Sequence, residues 1–159
     1  MKRIGIIGCG SIGGEIASFI DKNLSDKAKL TNLSDRDKIA AVKLKKKLTK
    51  PAKISSIKNL IKEVDLVIET ASQKGAEEAI KEALAYKKDI IVLSVGALIK
   101  KSHYLKEVRK KKINLYIPSG AICGVDGFAA LSKGKLKKIT ITTSKPPLGL
   151  AGIKHLKNK

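Results

Sequence analysis

The stretch Ile4-Gly5-Ile6-Ile7-Gly8-Cys9-Gly10-Ser11-Ile12-Gly13 limits what this chain can fold into more than any other. Lys2 to Ile7 is a short apolar run rich in β-branched residues and reads as a buried strand. From Ser11 to about Lys22 the residues Ile12, Ile16, Phe19 and Ile20 recur on one helical face. A strand that becomes a helix through three spaced glycines has a use for each of them. Gly8 permits the tight turn, Gly10 leaves no Cβ in the way of a group approaching the backbone, and Gly13 lets helix and strand pack closely. The free N–H groups at the helix start then face an anion.

The same alternation continues. Lys29 to Ser34 reads as a second strand, and Asp37 caps a helix carrying Ile39, Ala41, Val42, Leu44 and Leu48, which Pro51 ends. Ile54 marks a short third strand, and Ile57, Leu60, Ile61 and Val64 follow helical spacing. Asp65 to Glu69 is a fourth strand, after which Ser72 caps a helix with Ala76, Ala79, Ile80, Ala83 and Leu84 inward. Asp89 to Leu93 is a fifth strand, Leu105 and Val108 lie on a helix with a basic end, and Ile113 to Ile117 is a sixth strand closed by Pro118. Strands and helices alternating in this way predict an α/β fold of the Rossmann type, a doubly wound parallel sheet.

In that fold the glycine loop holds a pyrophosphate, and an acid at the end of the second strand, about 20 residues on, binds the adenosine ribose. Asp35 stands at that place; Asp37 is the alternative but suits a helix cap better. Arg36 follows Asp35 directly. An acid favours the NAD ribose and an arginine accepts the extra phosphate of NADP, so the cofactor reads as NAD or NADP. Gly8, Gly10, Ser11, Ile12, Gly13, Asp35 and Arg36 are therefore the expected cofactor residues of the first half. Two more small-residue loops follow strands: Glu69-Thr70-Ala71-Ser72 and Ser94-Val95-Gly96-Ala97-Leu98. Ala71, Ser72 and Gly96 are expected to lie along the cofactor; an ordinary strand-to-helix turn is the alternative for each loop.

Composition excludes several classes. A chain of 159 residues, 43% of them hydrophobic, makes one packed domain and part of another. No apolar run is long enough for a membrane span, and no export or anchor signal is visible, which favours the cytoplasm. Cys9 and Cys123 are too few for a disulfide framework, and no cluster of metal ligands is visible. The net charge of +20 raises the question of nucleic acid. The lysines, however, are spread along the chain, the arginines are Arg3, Arg36 and Arg109, and aromatics make up 3%. Runs such as Lys45-Lys46-Lys47 and Lys110-Lys111-Lys112 fall where helices end, which suits the helix dipole. Solvated faces are the reading preferred here, with a field that attracts anionic substrate and cofactor.

After Pro118 the pattern changes. Ser119 to Gly127 reads as a glycine-rich loop, and Leu136 to Thr143 alternates as a half-exposed strand ended by Lys145-Pro146-Pro147. The expected division is a cofactor-binding domain over 1–117 and a partial substrate domain over 118–159, too short for a core of its own.

Together, the glycine loop, Val64-Asp65-Leu66-Val67-Ile68-Glu69-Thr70-Ala71-Ser72-Gln73, Ser94 to Leu98, Ile117-Pro118-Ser119-Gly120-Ala121-Ile122, Gly124-Val125-Asp126-Gly127 and Thr142-Thr143-Ser144-Lys145-Pro146-Pro147 resemble the L-aspartate dehydrogenase family of archaea and bacteria. The last segments are the particular ones; the first is shared by many dinucleotide-binding enzymes. The resemblance implies the start of an α+β catalytic domain after the Rossmann domain. It also implies NAD(P)-dependent oxidation of the CH–NH2 group of L-aspartate to iminoaspartate, which yields oxaloacetate and ammonia or feeds NAD biosynthesis. Ala121 is expected to touch the cofactor, and the family forms oligomers. Ser119 and Lys145 are candidates for holding the substrate carboxylates; a turn serine and a surface lysine are the alternatives. The family's catalytic histidine lies further along a longer chain, and neither His103 nor His155 stands in the matching context. No catalytic residue is therefore expected here, and the chain reads as a truncated family member. A dehydrogenase for another small acid, or a non-catalytic dinucleotide-binding remnant, remains the competing expectation.

Overall fold

The computed structural model describes residues 1–99, 101–120, 125–135, 137–140, 142 and 144. Its elements run β1 (Lys2–Ile7), α1 (Ser11–Asn23), β2 (Ala28–Ser34), α2 (Lys38–Lys47), β3 (Lys53–Ile54) and α3 (Ile57–Glu63). Then come β4 (Leu66–Glu69), α4 (Gln73–Tyr86), β5 (Asp89–Val92), a 3₁₀ turn at Val95–Leu98, α5 (Ser102–Lys111), β6 (Leu115–Tyr116) and α6 (Val125–Leu131). By its packing the chain divides into Met1–Gly120 and Ala121–Lys159.

The strands of the first unit form one sheet in the order β3-β2-β1-β4-β5-β6. Every neighbouring pair is parallel. This is the doubly wound Rossmann arrangement that the alternating pattern predicts. Parallel sheets are covered on both faces, and the side chains of each strand divide accordingly. Ile6 and Ile68 join Ile4, Leu30, Leu33, Ala17, Ile20 and Leu44 in a core beneath α1 and α2. Their neighbours Ile7 and Val67 join Leu60, Ile61, Ile80, Ile90 and Val92 on the opposite face.

Local chemistry starts and stops these helices. Asp37 accepts a hydrogen bond from the Ile39 N–H at 2.8 Å, and Ser72 accepts one from Gly75 at 3.3 Å, as their cap positions predict. Ser56 caps α3 in the same way, through Asn59. Lys87 and Lys112 end α4 and α5 in the left-handed conformation, with φ of 52° and 54°. The lysine run at the end of α2 and Arg109-Lys110-Lys111 occupy last turns.

Several expectations need correction. On α1 the buried stripe is Gly13, Ala17 and Ile20, whereas Ile12 and Phe19 are each 57% exposed. Small residues at Gly13 and Ala17 let the helix sit close to the sheet, with Ile20 packed one turn further on, and Ile12 and Phe19 flank that contact. On α5 Tyr104 rather than Leu105 points inward beside Val108. The sixth strand shrinks from Ile113–Ile117 to two residues, because it pairs only with Ile90 and Ile91 and Pro118 offers no N–H to extend the ladder. The expected loop Ser119–Gly127 gives way to α6 at Val125, where the Phe128-Ala129-Ala130-Leu131 run favours a helix despite Gly127. Within the expected strand Leu136–Thr143, the described residues 137–140 and 142 are exposed and form no strand; Leu136, Ile141 and Thr143 lie outside the described residues.

Candidate functional site

The C-terminal ends of β1, β2 and β4 meet at a cleft of about 540 Å³. Its lining includes Gly8 and Gly10 from the turn after β1, Asp35 and Arg36 after β2, and Ala71 and Ser72 after β4. These six residues, predicted from distant parts of the sequence, are brought together. Ser11 and Ile12 stand exposed at the start of α1, next to Gly10, and Gly13 is buried beneath them. Gly96 is not among the residues lining this cleft; it lies in the 3₁₀ turn, where a Cβ would press into the side chain of Gln73, 2.9 Å from its Cδ. Ser119 is exposed and outside the cleft lining. Ala121 and Lys145 lie outside the described residues, as do Cys123 and His155.

The glycine loop is held by its backbone. Gly8 takes φ of +98°, which a side chain would resist. The Thr70 hydroxyl donates to the carbonyl oxygens of Ile7 at 3.1 Å and Gly8 at 2.9 Å, so β4 braces the turn after β1. From the other side, the Cys9 N–H donates to Asp35 Oδ2 at 2.6 Å, while the Asp37 N–H donates to Oδ1 at 2.8 Å. Each Asp35 oxygen accepts one bond from the backbone and has a further lone pair free to accept another. The Cys9 thiol is buried, and burial together with the Asp35 charge pushes its pKa up to about 11.

The start of α1 suits an anion. Gly10 is its N-cap with no side-chain hydrogen bond, and no acidic residue stands in the first turn. By contrast, α2, α3 and α4 are capped by Asp37, Ser56 and Ser72. The first-turn N–H groups of α1 therefore lack a side-chain acceptor and point where a phosphate would sit. A Cβ built on Gly10 meets nothing within 4 Å, so the protein itself makes no demand for glycine there. That open face is what close approach of a diphosphate requires.

Seven lining residues were not among the expected site residues: Ile7, Ser34 and Thr70 flank expected ones, and Ile57, Lys74, Gly75 and Glu78 come from helices. Ile57 begins α3, and Lys74 and Glu78 lie on the first turns of α4. Helix periodicity places Lys74 and Glu78 on one face, but only the packing of α4 against the sheet turns that face toward Asp35. Glu69, outside the cleft lining, was not singled out either: it is fully buried at the end of β4. Its Oε1 accepts from the N–H groups of Ala71 (2.8 Å) and Ser72 (3.1 Å) and from the Ser94 hydroxyl (2.8 Å). Its Oε2 accepts from the Ser94 N–H at 3.1 Å. Its place in the apolar run Leu66–Glu69 was the available signal.

His103 is exposed, with its ring 4.2 Å from that of Tyr104. Among the described residues no group of three or more His, Cys, Asp and Glu is placed to hold a metal ion, and no helix is long and apolar enough to cross a membrane.

Comparison with known proteins agrees with this geometry. The chain is 39% identical over 160 residues to the L-aspartate dehydrogenase of Methanosarcina barkeri and 42% identical over 163 residues to that of Methanosarcina mazei. Each match takes in 98% of this chain and 59% of the relative, so the chain spans a little over half the length of these curated relatives. The resemblance read from the sequence motifs is thus borne out. Among solved structures, the myo-inositol dehydrogenase of Lactobacillus casei, in complex with NAD(H) and myo-inositol, superposes with a TM-score of 0.68 at 18% identity, over 84% of this chain and 42% of that one. A probable dehydrogenase from Thermotoga maritima superposes with a TM-score of 0.61 at 27% identity, over 72% of this chain and 35% of that one. The family model described as homoserine dehydrogenase, NAD binding domain, matches residues 8–117, and the chain belongs to that family.

Proposed function

We propose that this chain is the cofactor-binding part of an NAD(P)-dependent L-aspartate dehydrogenase. The observation that carries the reading is the uncapped start of α1 at Gly10, opening onto a cleft that also holds Asp35. In this reading the N–H groups of Ser11 and Ile12 receive the pyrophosphate, and Gly8 and Gly13 keep the turn tight enough to present them. Asp35 accepts from the adenosine ribose hydroxyls. Arg36, exposed beside it, receives the additional phosphate of NADP, so both coenzymes are accommodated. Ala71, Ser72 and Gly96 border the path of the cofactor toward the nicotinamide. The bound nicotinamide supplies the hydride acceptor; the protein orients the substrate and provides charge.

The substrate is the finer part of the proposal. Motif resemblance and the names of the relatives favour L-aspartate, with Ala121 against the cofactor and Ser119 and Lys145 toward the two carboxylates. The family description favours a second reading, a related small amino acid such as homoserine. The domain division at 118 and a homo-oligomeric assembly belong to the same proposal.

Fluorescence titration with NADH and NADPH tests the first part, with Gly10→Val as control. Saturable binding that the valine abolishes is the expected result; undiminished binding in the variant would count against the site. Turnover with oxaloacetate and ammonia, compared with aspartate, malate and homoserine in the oxidative direction, tests the second.

A further inference from the structure

We propose that Glu69 is a positioning residue for the nicotinamide end of the cofactor, acting through the two loops that it ties together. The proposal rests on the dinucleotide reading above. Glu69 ends β4 with 0% exposure, and every partner described for its carboxylate is a donor: the N–H groups of Ala71, Ser72 and Ser94 and the Ser94 hydroxyl. That is the bonding pattern of an acceptor-only carboxylate. Burying such a group is costly, and an aliphatic side chain would fill the same space without that cost. The neighbouring strand ends show the aliphatic solution, with Ile7 ending β1 and Val92 ending β5.

What the carboxylate adds is direction. It fixes the backbone of Ala71 and Ser72, which lead into α4, and of Ser94, which leads into the 3₁₀ turn. The two loops stand at the C-terminal ends of adjacent strands, on the side of β1 away from β2 and Asp35. A dinucleotide crossing the sheet between β1 and β4, where the strand order reverses, puts its adenosine half toward β2 and its nicotinamide half over β4 and β5. Glu69 thus ties the Ala71–Ser72 turn, which shares the cleft with Asp35, to the Ser94 turn one strand further along, over which the second half lies.

The test uses the intact chain and two ligands, NADH and ADP-ribose, which share everything except the nicotinamide ring. Dissociation constants are measured for wild type, Glu69→Gln and Ser94→Ala, each checked by far-UV circular dichroism and thermal melting. Glu69→Gln keeps the shape but aims an amide donor at N–H groups. It is expected to weaken NADH roughly tenfold more than ADP-ribose. Ser94→Ala, which deletes one donor, moves the same ratio in the same direction by less, and it decides the matter if Glu69→Gln fails to fold. A merely structural role would weaken both ligands by one factor. Parallel loss, or no loss, overturns the role of Glu69 alone. Wild-type protein that binds neither ligand overturns the dinucleotide reading and this proposal with it.

Discussion

Gly13 and Gly8 approach so closely that a Cβ on Gly13 would collide with the Gly8 carbonyl oxygen and lie 2.7 Å from the Thr70 hydroxyl. The contact is backbone against backbone, so no rotamer change relieves it. Gly13→Ala is expected to cost about 1–3 kcal/mol of stability, as overpacking does. Gly10, three residues earlier, has φ of −75° and open space around it. Gly10→Ala should leave the unfolding midpoint within about 0.5 kcal/mol of wild type, yet weaken NADH. Urea denaturation beside an NADH titration separates the two glycines: one serves the fold, the other the ligand.

Asp35 has a double duty, since its carboxylate holds the N–H groups of Cys9 and Asp37 and faces the cleft. Asp35→Ala is expected to weaken NAD about tenfold or more, the scale of a lost hydrogen bond to a charged group. NADP should lose less, because Arg36 remains. The ratio of the two dissociation constants is the readout, and an unchanged ratio would remove Asp35 from the ribose.

The Cys9 thiol, held neutral by burial and by the Asp35 charge up to about pH 11, is expected to react slowly with alkylating reagents at pH 8. Its raised pKa also sets a sign. The folded state favours the neutral thiol, so the contribution to stability is complete below the unfolded-state pKa near 9 and is lost as the pH climbs through 11. Cys9→Ala should flatten that alkaline decline in a Cys123→Ser background, measured by thermal melting from pH 8 to 11.

Asp65 pairs with Arg3 at 2.6 Å, and hydrogen bonds from that side chain and its N–H hold the Asp65 carboxyl well below the usual carboxylate range. A lowered pKa contributes stability above the ordinary value near 4 and loses it as the pH falls further. Asp65→Asn should therefore melt below wild type at pH 7, with the gap narrowing toward pH 2. Both partners are partly solvent-exposed, so the gap should be small and should shrink in salt.

Much of the fold was legible because its signals are local. The apolar runs at Ile4–Ile7, Val67–Ile68 and Ile90–Val92 are short and closely bounded, and Asp37 and Ser72 announce the helices that they cap. The glycine loop was legible because each glycine answers a separate steric demand. What escaped depends on distance. Phe19 looks like core on a helical wheel, but the sheet accepts only the small stripe through Gly13 and Ala17. Lys74 and Glu78 became cleft residues through the placement of α4 against β4, which no spacing encodes. Glu69 read as the end of a strand because its partners Ala71, Ser72 and Ser94 are backbone and hydroxyl groups, whose directions appear only after folding.

The strand order carries one more consequence. In the sheet, β1 alone is hydrogen-bonded both to β2, which leads on to β3, and to β4, which leads on to β5 and β6. Its six residues are the seam between the two halves of the sheet, and the cleft opens at the C-terminal end of that seam. A molecule lying across both halves adds to the fastening that α3 already gives by packing against β2 and α4. Occupancy should therefore register most strongly as slower amide exchange on both sides of β1, far from any atom that the ligand touches.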